Sequence, residues 1–334
     1  MPRNKRLHIP GAVNHVIVRG LEKRLLFLND KDRFEFLGRL GNALNDTLCQ
    51  CYAWVLMPNH IHLLIRTGIK SLTDLMRSLL TGYAIYFNRA HNRHGYLFQN
   101  RYKSILCQED RYFAKLVSYI HLNPVRAKII ESVDELDYYP WSGHAAIIGT
   151  KKCPWQNTDE VLSRFKRNKQ AARAAYRELL IEQAQKGFDE NLTGGGLRRS
   201  AGGWHNIKLS RHKDSFWRGD ERILGDSAFV EETLEISNEY LDGKFALQCS
   251  GWDINKLISH VCALYKIPPK ELLKKGRSNE LSAAKGLICY WGYCTLGISG
   301  ADLSRYFNIS RPAISKNIAL GKNISEEQCL KLIS

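Results

Sequence analysis

Two histidines stand one residue apart directly after a predicted turn, in the segment Asn59-His60-Ile61-His62-Leu63. On a β-strand, successive side chains point to opposite faces, so His60 and His62 share one face while Ile61 enters the core behind them. Imidazole is a common metal ligand, and two imidazoles on one face can share a divalent cation. The spacing indicates a metal site, although two half-exposed polar strand residues would have the same pattern.

A tyrosine and an asparagine stand four residues apart in the segment Tyr119-Ile120-His121-Leu122-Asn123. Residues four apart on an α-helix lie one turn above each other, so Tyr119 and Asn123 share a face. His121 points about 200° away by the 3.6-residue period and does not join them. The following Pro124 disfavours α geometry at Asn123, which predicts a helix end or kink there. Tyr119 is either a reactive phenol or an ordinary core tyrosine.

These side chains need a scaffold, and the first 130 residues alternate strand and helix patterns. The patterns predict strands at 13–19, 51–57, 60–66 and 97–106, with helices from about residue 30, at 71–89 and at 111–122. Ser71 and Asp74 form a capping-box signature for the second helix. The order βαββαβ plus a further helix predicts an α+β, ferredoxin-like sandwich whose added helix carries Tyr119.

The rear of the chain has a different pattern, with short helices throughout from about Trp252. The last two, at 299–307 and 310–320, are joined by Asn308-Ile309 and predict an all-α helix-turn-helix domain. Four polar residues are predicted to lie outward on its second helix, namely Arg311, Ser315, Lys316 and Asn317. The predicted organisation is a front domain over 1–150, a helical and linker region over 151–246 with a glycine-rich stretch at 194–203, and a rear domain over 247–334.

The charge of the 334-residue chain favours a polyanionic partner, because 49 Lys+Arg stand against 33 Asp+Glu, a net +16. The front carries 20 basic and 12 acidic residues, the middle 17 and 15, and the rear 12 and 6, so the charge is concentrated at the two ends. Nucleic acid is the expected partner. No apolar run predicts a membrane span or signal peptide, and nine scattered cysteines are typical of reduced thiols in the cytoplasm.

Four segments together resemble a known family. They are HVIVRG at 15–20, MPNHIHLLI at 57–65, LFQNRYKS at 97–104 and YIHLNPVRA at 119–127. In this order, residues 8–145 resemble the IS200-like, single-tyrosine family of HUH transposases, and most closely its REP-associated branch. The resemblance implies a ferredoxin-like HUH nuclease domain that acts on DNA.

By this resemblance, Tyr119 is the catalytic nucleophile, and His60 and His62 bind a Mg²⁺ or Mn²⁺ ion. Asn123 stands where the family places a third, polar ligand. Asparagine here replaces the glutamine of the insertion-sequence branch, which keeps the amide oxygen but shortens its reach. Tyr112, seven residues before Tyr119 and on a similar helix face, is the competing candidate for the nucleophile.

Four further residues are predicted to contact the DNA. Arg19 ends the first strand, and Gln99, Arg101 and Lys103 alternate onto one face of the predicted fourth strand. A polar and basic stripe of this kind suits a phosphate backbone, although a solvated sheet face is the alternative.

The rear domain has a resemblance of its own. Residues 253–325 resemble the helical DNA-binding domain of the replication initiator DnaA, which implies a contact with duplex DNA. The segment Ile309-Ser310-Arg311-Pro312 replaces that family's usual Asp-His-Thr run, so a different sequence preference is expected. A helical protein-interaction module is the alternative.

The sequence therefore predicts a cytoplasmic enzyme, a monomer or homodimer, that cleaves and rejoins single-stranded hairpin DNA through a 5′-phosphotyrosine intermediate. The alternative is a non-catalytic, sequence-specific DNA-binding regulator that retains the transposase fold. A metal-dependent phosphohydrolase is disfavoured, because no paired carboxylates stand near the two histidines.

Overall fold

The computed structural model of the protein describes Leu7 and residues 9–68, 70–186, 220–273 and 279–332. Within these residues, a first unit ends at Glu235 and a second begins at Ile236. The stretch 194–203, predicted as a linker, lies outside the described residues. Residues 151–186 belong to the first unit, so the boundary predicted at residue 150 does not separate two units.

The first unit is built on a five-stranded sheet with the order β2-β3-β1-β4-β5. Its first four strands pair antiparallel, and the short β5 pairs parallel with β4. The strands are β1 (Val13–Arg19), β2 (Gln50–Leu56), β3 (His60–Arg66), β4 (Lys103–Cys107) and β5 (Ile223–Leu224). With α1 (Asp30–Thr47) and α2 (Leu72–Ala90), the chain order is βαββαβ, and the α+β, ferredoxin-like prediction is confirmed.

The two faces of this sheet belong to two separate hydrophobic cores. Alternate residues of β1 and β3, among them Val16 and Ile61, pack with α1 and α2. The other face, which includes Val13, Leu64 and Ile105, packs with the next helix, α3 (Glu109–His121). Because side chains alternate along a strand, this second face also carries every odd-numbered residue of β1 and every even-numbered residue of β3.

The end of α3 follows from the local sequence. The helix stops at His121, and a new short helix, α4 (Asn123–Arg126), begins with Pro124 in its first turn. Proline is tolerated there because the first backbone N–H groups of a helix have no partner inside it. The predicted break at Asn123 is confirmed.

Four more helices complete the first unit up to residue 186. They are α5 (Val133–Leu136), α6 (His144–Ile148), α7 (Thr158–Ser163) and α8 (Lys169–Gln185). The α8 residues Ala172, Tyr176 and Leu180 share the α3 core and are fully buried. This buried stripe, spaced four residues apart, is the reason that α8 packs on the core between α3 and the sheet.

The fourth strand is shorter than predicted. Regular pairing with β1 begins only at Lys103, opposite Ile17, whereas Leu97 lies outside the ladder. Before it, Gly20 makes an isolated bridge with Phe98, and the Gln99 N–H donates to the Arg19 carbonyl. The chain beyond the end of β1 is irregular, so it offers no strand against which residues 97–102 could form a ladder.

The second unit is helical. A long helix, α9 (Ser227–Cys249), runs into it from the first unit, and it continues with α10 (Ile254–Tyr265), a 3₁₀ turn (Pro269–Leu273), α11 (Asn279–Tyr290), a π turn (Trp291–Thr295), α12 (Gly300–Phe307) and α13 (Arg311–Glu327). Ser299 and Ser310 cap α12 and α13, and Asn308 between them is left-handed with φ 51°. Both capped helices lie where the sequence predicts helices, but α13 continues to Glu327, beyond the predicted end at residue 320.

Two further observations concern the whole described chain. None of its helices combines the length and apolar composition that a membrane crossing requires. The eight cysteines described are free thiols.

Candidate active site

The two histidines of β3 lie on the face covered by α3, as predicted. Their ring centroids are 5.1 Å apart, and Ile61 between them enters the opposite core. Burial, with a contribution from Arg19, lowers the pKa of His60 to about 4. Burial also lowers the pKa of His62, helped by His15, His60 and Arg19. Both imidazoles are therefore neutral at pH 7, the state in which a ring nitrogen can bind a metal ion.

A third histidine, which the sequence did not single out, completes this face. His15 of β1 is fully buried, and its Nε2 lies 2.9 Å from His62 Nδ1. The two rings stack with centroids 5.2 Å apart and an interplanar angle of 24°. The signal was present, because the alternation of β1 places His15 on the α3 face, but a lone histidine on a half-buried strand is not distinctive.

Tyr119 of α3 packs directly on these rings. Its ring centroid lies 5.8 Å from that of His15 and 6.1 Å from that of His62, both in edge-on geometry. The Arg126 guanidinium lies over the same ring, 5.0 Å from its centroid. Only 4% of Tyr119 is exposed. The structure thus joins the predicted nucleophile and the predicted metal ligands in one cluster, here called the histidine face (His15, His60, His62 and Tyr119).

Asn123 lies one turn beyond Tyr119, as the spacing predicts. Its Nδ2 donates to the carbonyls of Tyr119, at 2.9 Å, and Ile120, at 3.1 Å. These are two of the last carbonyls of α3, which have no partner within the helix. The amide nitrogen of Asn123 is therefore committed to the helix end, and its oxygen is the atom that remains for a ligand.

The residues predicted to contact DNA fall into two groups. Arg19 is exposed opposite His60 in the β1–β3 ladder, and Lys103 is exposed on the same α3 face by the alternation of β4. Gln99 and Arg101 are exposed too, but they lie in the irregular segment before β4. The prediction that Gln99, Arg101 and Lys103 alternate along one strand is wrong, since only Lys103 belongs to it.

Tyr112 and His121 are also buried on α3. Tyr112, the competing nucleophile, belongs to the same core between α3 and the sheet as Tyr119. His121 is fully buried, and its Nδ1 lies 2.7 Å from the Tyr176 hydroxyl of α8, which lies 2.9 Å from His144 Nδ1. His144 Nε2 in turn lies 2.8 Å from Asp137. We call His121, Tyr176, His144 and Asp137 the α3–α8 network.

The donor set of the histidine face fits a divalent metal ion. His60 Nδ1 lies 2.7 Å from Asn59 Oδ1, which only accepts, so the Nε2 of this neutral ring carries a lone pair. His62 also uses its Nδ1 in a hydrogen bond, with His15. Within the described ranges, no three His, Cys, Asp or Glu side chains converge on one point. The histidine face therefore offers the Nε2 of His60 and, when His62 donates from Nδ1, the Nε2 of His62, to which water and a neutral oxygen would be added.

The helix-turn-helix residues differ in their exposure. Arg311 and Lys316 are exposed on α13, and Asn317 is half-buried with its Nδ2 donating to the Ala313 carbonyl at 3.0 Å. Ser315 is buried, and its hydroxyl lies 3.2 Å from the Arg311 carbonyl. The outward position predicted for Ser315 is wrong, because it follows the buried Ile314 on the inner side of the helix.

Comparison with known proteins places the first unit in context. Residues 11–123 match the family model described as "Transposase IS200 like". A solved structure described as "Structure of the REP associates tyrosine transposase bound to a REP hairpin" aligns at 18% identity and a TM-score of 0.39, over 47% of this chain and 90% of that one. No curated protein matches.

The matched segment begins before β1 and ends at Asn123, so it contains every residue of the histidine face. The resemblance inferred from the sequence is confirmed for these residues, and no comparison extends it to the second unit. Residues 11–123 of this chain are therefore similar to the IS200-like transposases.

Proposed function

We propose that the first unit cleaves and rejoins single-stranded DNA at a hairpin, with Tyr119 as the nucleophile. The observation that carries this proposal is the packing of Tyr119 on His15 and His62, on the face that His60 and His62 share. A phenol can act as the nucleophile, neutral imidazoles can hold a metal ion, and nearby cations can offset the charge of the phosphate.

The reaction follows from the chemistry of the phenol. The Tyr119 oxygen attacks the scissile phosphorus and loses its proton, while the bond from phosphorus to the 3′ oxygen breaks and that oxygen gains a proton. The product is a 5′-phosphotyrosine and a free 3′-hydroxyl. Because the number of phosphoester bonds is unchanged, a 3′-hydroxyl can attack the phosphotyrosine and reseal the strand without ATP.

His60 and His62 would hold the Mg²⁺ or Mn²⁺ ion through their Nε2 atoms, with the Asn123 oxygen as the third protein ligand. When bound, the ion would offset the charge of the phosphate and of the departing oxygen. Arg19 and Lys103 flank the histidines on the same face and would hold neighbouring phosphates, with Gln99 and Arg101 beside them. The free thiols support a reducing, cytoplasmic location.

One observation favours a second candidate, a non-catalytic DNA-binding regulator. Tyr119 is only 4% exposed, so its ring is covered in the structure described here. A nucleophile must reach the phosphorus, and a tyrosine that only packs against the sheet would be buried in the same way.

Incubation with labelled hairpin DNA from the flanks of the gene, with Mn²⁺, separates the two candidates. We expect a covalent protein–DNA adduct that Tyr119→Phe abolishes while DNA affinity stays nearly unchanged, since only the phenolic oxygen is lost. Tyr112→Phe is the matched control, because it makes the same change on the same helix. An adduct that survives in Tyr119→Phe and disappears in Tyr112→Phe would exchange the two assignments, and no adduct in any protein would favour the regulator.

We also propose that the second unit binds duplex DNA through α13. Its exposed cations, Arg311 and Lys316, and the half-buried Asn317 support this proposal. Replacing Arg311 and Lys316 by alanine in the full chain should weaken duplex binding and reduce the log–log salt slope by about 2, since each lost phosphate contact removes about 0.9. Lys270→Ala with Lys331→Ala removes the same charge elsewhere and is the control. Equal slopes in all three proteins would favour a protein-interaction module.

A further inference from the structure

His15 contacts two of the residues to which the proposed reaction assigns a role, His62 and Tyr119, yet that reaction gives His15 none. Its Nε2 lies 2.9 Å from His62 Nδ1, and its ring meets Tyr119 edge-on with centroids 5.8 Å apart. Only 1% of His15 is exposed. We therefore consider the effect that His15 has through His62 and Tyr119, the two proposed site residues that it contacts.

The hydrogen bond between the two imidazoles can run in either direction, and the direction decides what His62 can do. If His15 donates, His62 Nδ1 is the acceptor, and a neutral His62 then carries its proton on Nε2. If His62 donates from Nδ1, its Nε2 keeps the lone pair. Only the second arrangement leaves a nitrogen of His62 that can bind a metal ion.

His60 makes the same kind of hydrogen bond from its Nδ1, but with a partner for which only one direction is possible. The Asn59 oxygen, 2.7 Å from His60 Nδ1, only accepts, so His60 must donate from Nδ1 and keep the lone pair on Nε2. Hydrogen bonds from the second ring nitrogen commonly orient histidine ligands in this way. His15 occupies the position at His62 that Asn59 occupies at His60.

We propose that His15 is a positioning residue that accepts a hydrogen bond from His62 Nδ1 and so holds His62 in the tautomer whose Nε2 binds the metal ion. The inference rests on the proposed function in one respect, namely that His62 is a metal ligand. It adds that β1 contributes to the metal site through His15, which fixes the tautomer of His62 without binding the ion itself.

Two substitutions separate this role from simple packing. His15→Phe keeps a ring against Tyr119 and His62 but has no acceptor, whereas His15→Gln places an amide oxygen where Nε2 lies. His260→Phe, at an exposed histidine of the second unit, is the control. Titration calorimetry with Mn²⁺, without DNA, should show binding weakened by about 10–100-fold in His15→Phe and restored to within a few-fold in His15→Gln, since losses of this size follow removal of an outer-shell partner.

Nitrogen-15 NMR of the histidine rings gives a second readout that does not depend on metal or activity. We expect His62 to carry its proton on Nδ1 in the unsubstituted protein and to become a mixture of tautomers in His15→Phe. A proton on Nε2 of His62 in the unsubstituted protein would overturn the inference, as would Mn²⁺ binding by His15→Phe at full strength. A protein that bound no Mn²⁺ at all would overturn the proposed metal site, and the tautomer of His62 alone would then decide the role of His15.

Discussion

The histidine face and the α3–α8 network contain the same residue types, but their hydrogen bonds connect these residues differently. Both contain buried histidines beside a tyrosine, and both contact α3. In the α3–α8 network the Tyr176 hydroxyl bridges two imidazoles and the far end is a carboxylate. In the histidine face the Tyr119 ring packs nearly perpendicular to His62, and the Nδ1 partners of His62 and His60 are an imidazole and an amide oxygen.

The direction of every hydrogen bond in the α3–α8 network can be worked out from its charged end. Burial raises the pKa of Asp137, but hydrogen bonds from His144 and Arg177 outweigh this and lower it, so the group is a carboxylate. Burial keeps His144 neutral, and its Nε2–H therefore donates to Asp137. Its Nδ1 accepts from the Tyr176 hydroxyl, whose oxygen accepts from the His121 Nδ1–H.

The difference teaches that a chain of hydrogen bonds anchored on a carboxylate has a structural task, whereas imidazole nitrogens kept for a ligand have a chemical one. In the α3–α8 network, Arg177 binds both oxygens of Asp137 and fixes the end of the chain, while His121 Nε2 at the other end has no hydrogen-bond partner among the described residues. Buried hydrogen-bond networks anchored in this way help to specify one packing arrangement. The histidine face keeps the Nε2 atoms of His60 and His62 for a ligand, and we expect the two clusters to respond to substitution in opposite ways.

The largest effect is expected on catalysis at the histidine face. His60→Ala should reduce adduct formation by more than about 100-fold, since even outer-shell partners of a metal contribute 10–100-fold. The free energy of unfolding should change by less than about 1 kcal/mol, because His60 is only half-buried. Adduct assays and urea denaturation measure the two quantities. EDTA should reduce adduct formation in the same way, and added Mg²⁺ or Mn²⁺ should restore it only in the unsubstituted protein. An undiminished rate of adduct formation in EDTA would contradict the chemical task assigned to the histidine face.

The opposite response is expected from the α3–α8 network. Tyr176→Phe removes the hydroxyl that bridges His121 and His144, and should lower the free energy of unfolding by about 1–3 kcal/mol through unsatisfied buried groups. Adduct formation by the folded protein should persist at a temperature well below the unfolding transition. A loss of adduct without a loss of stability would mean that this network has a catalytic role after all.

A smaller effect on the free energy of unfolding is expected from pH, and the histidines of both clusters change it in the same direction. The folded protein lowers the pKa of His60 to about 4 and lowers those of His121 and His144, whereas these groups titrate near 6.5 when unfolded. Below about pH 6.5 the unfolded state therefore binds more protons, and the stability present above that pH is lost as the pH falls. Urea denaturation between pH 8 and 5 measures the slope. His60→Ala should make the slope shallower, and a stability that rose on acidification would contradict these assignments.

The fold was largely predictable because its signals are local. The alternation in β1 and β3 gave their bounds, and Ser71, Ser299 and Ser310 marked helix starts that the structure contains. The pair His60 and His62 was equally predictable, since strand geometry alone places both on one face. Tyr119 and Asn123 were found through their four-residue spacing on a helix.

The parts that could not be predicted depend on contacts between distant segments. The α3–α8 network joins residues 121, 137, 144 and 176, which no local period relates. The position of His15 beside His62 depends on the pairing of β1 with β3, which a local pattern does not show. The start of β4 was placed six residues too early, because the composition of 97–102 suits a strand whereas the neighbouring chain offers no ladder.

Two selection pressures act on Asn123, because its nitrogen caps α3 and its oxygen is the proposed metal ligand. Its nitrogen caps α3, so an aspartate would set negative oxygens against the Tyr119 and Ile120 carbonyls, and a leucine would leave both without this donor. A copy of this gene without the proposed nuclease activity would still be selected to keep asparagine there for stability. Retention of Asn123 among relatives would therefore report on an intact helix end, and retention of His60 would be the better marker of an active lineage.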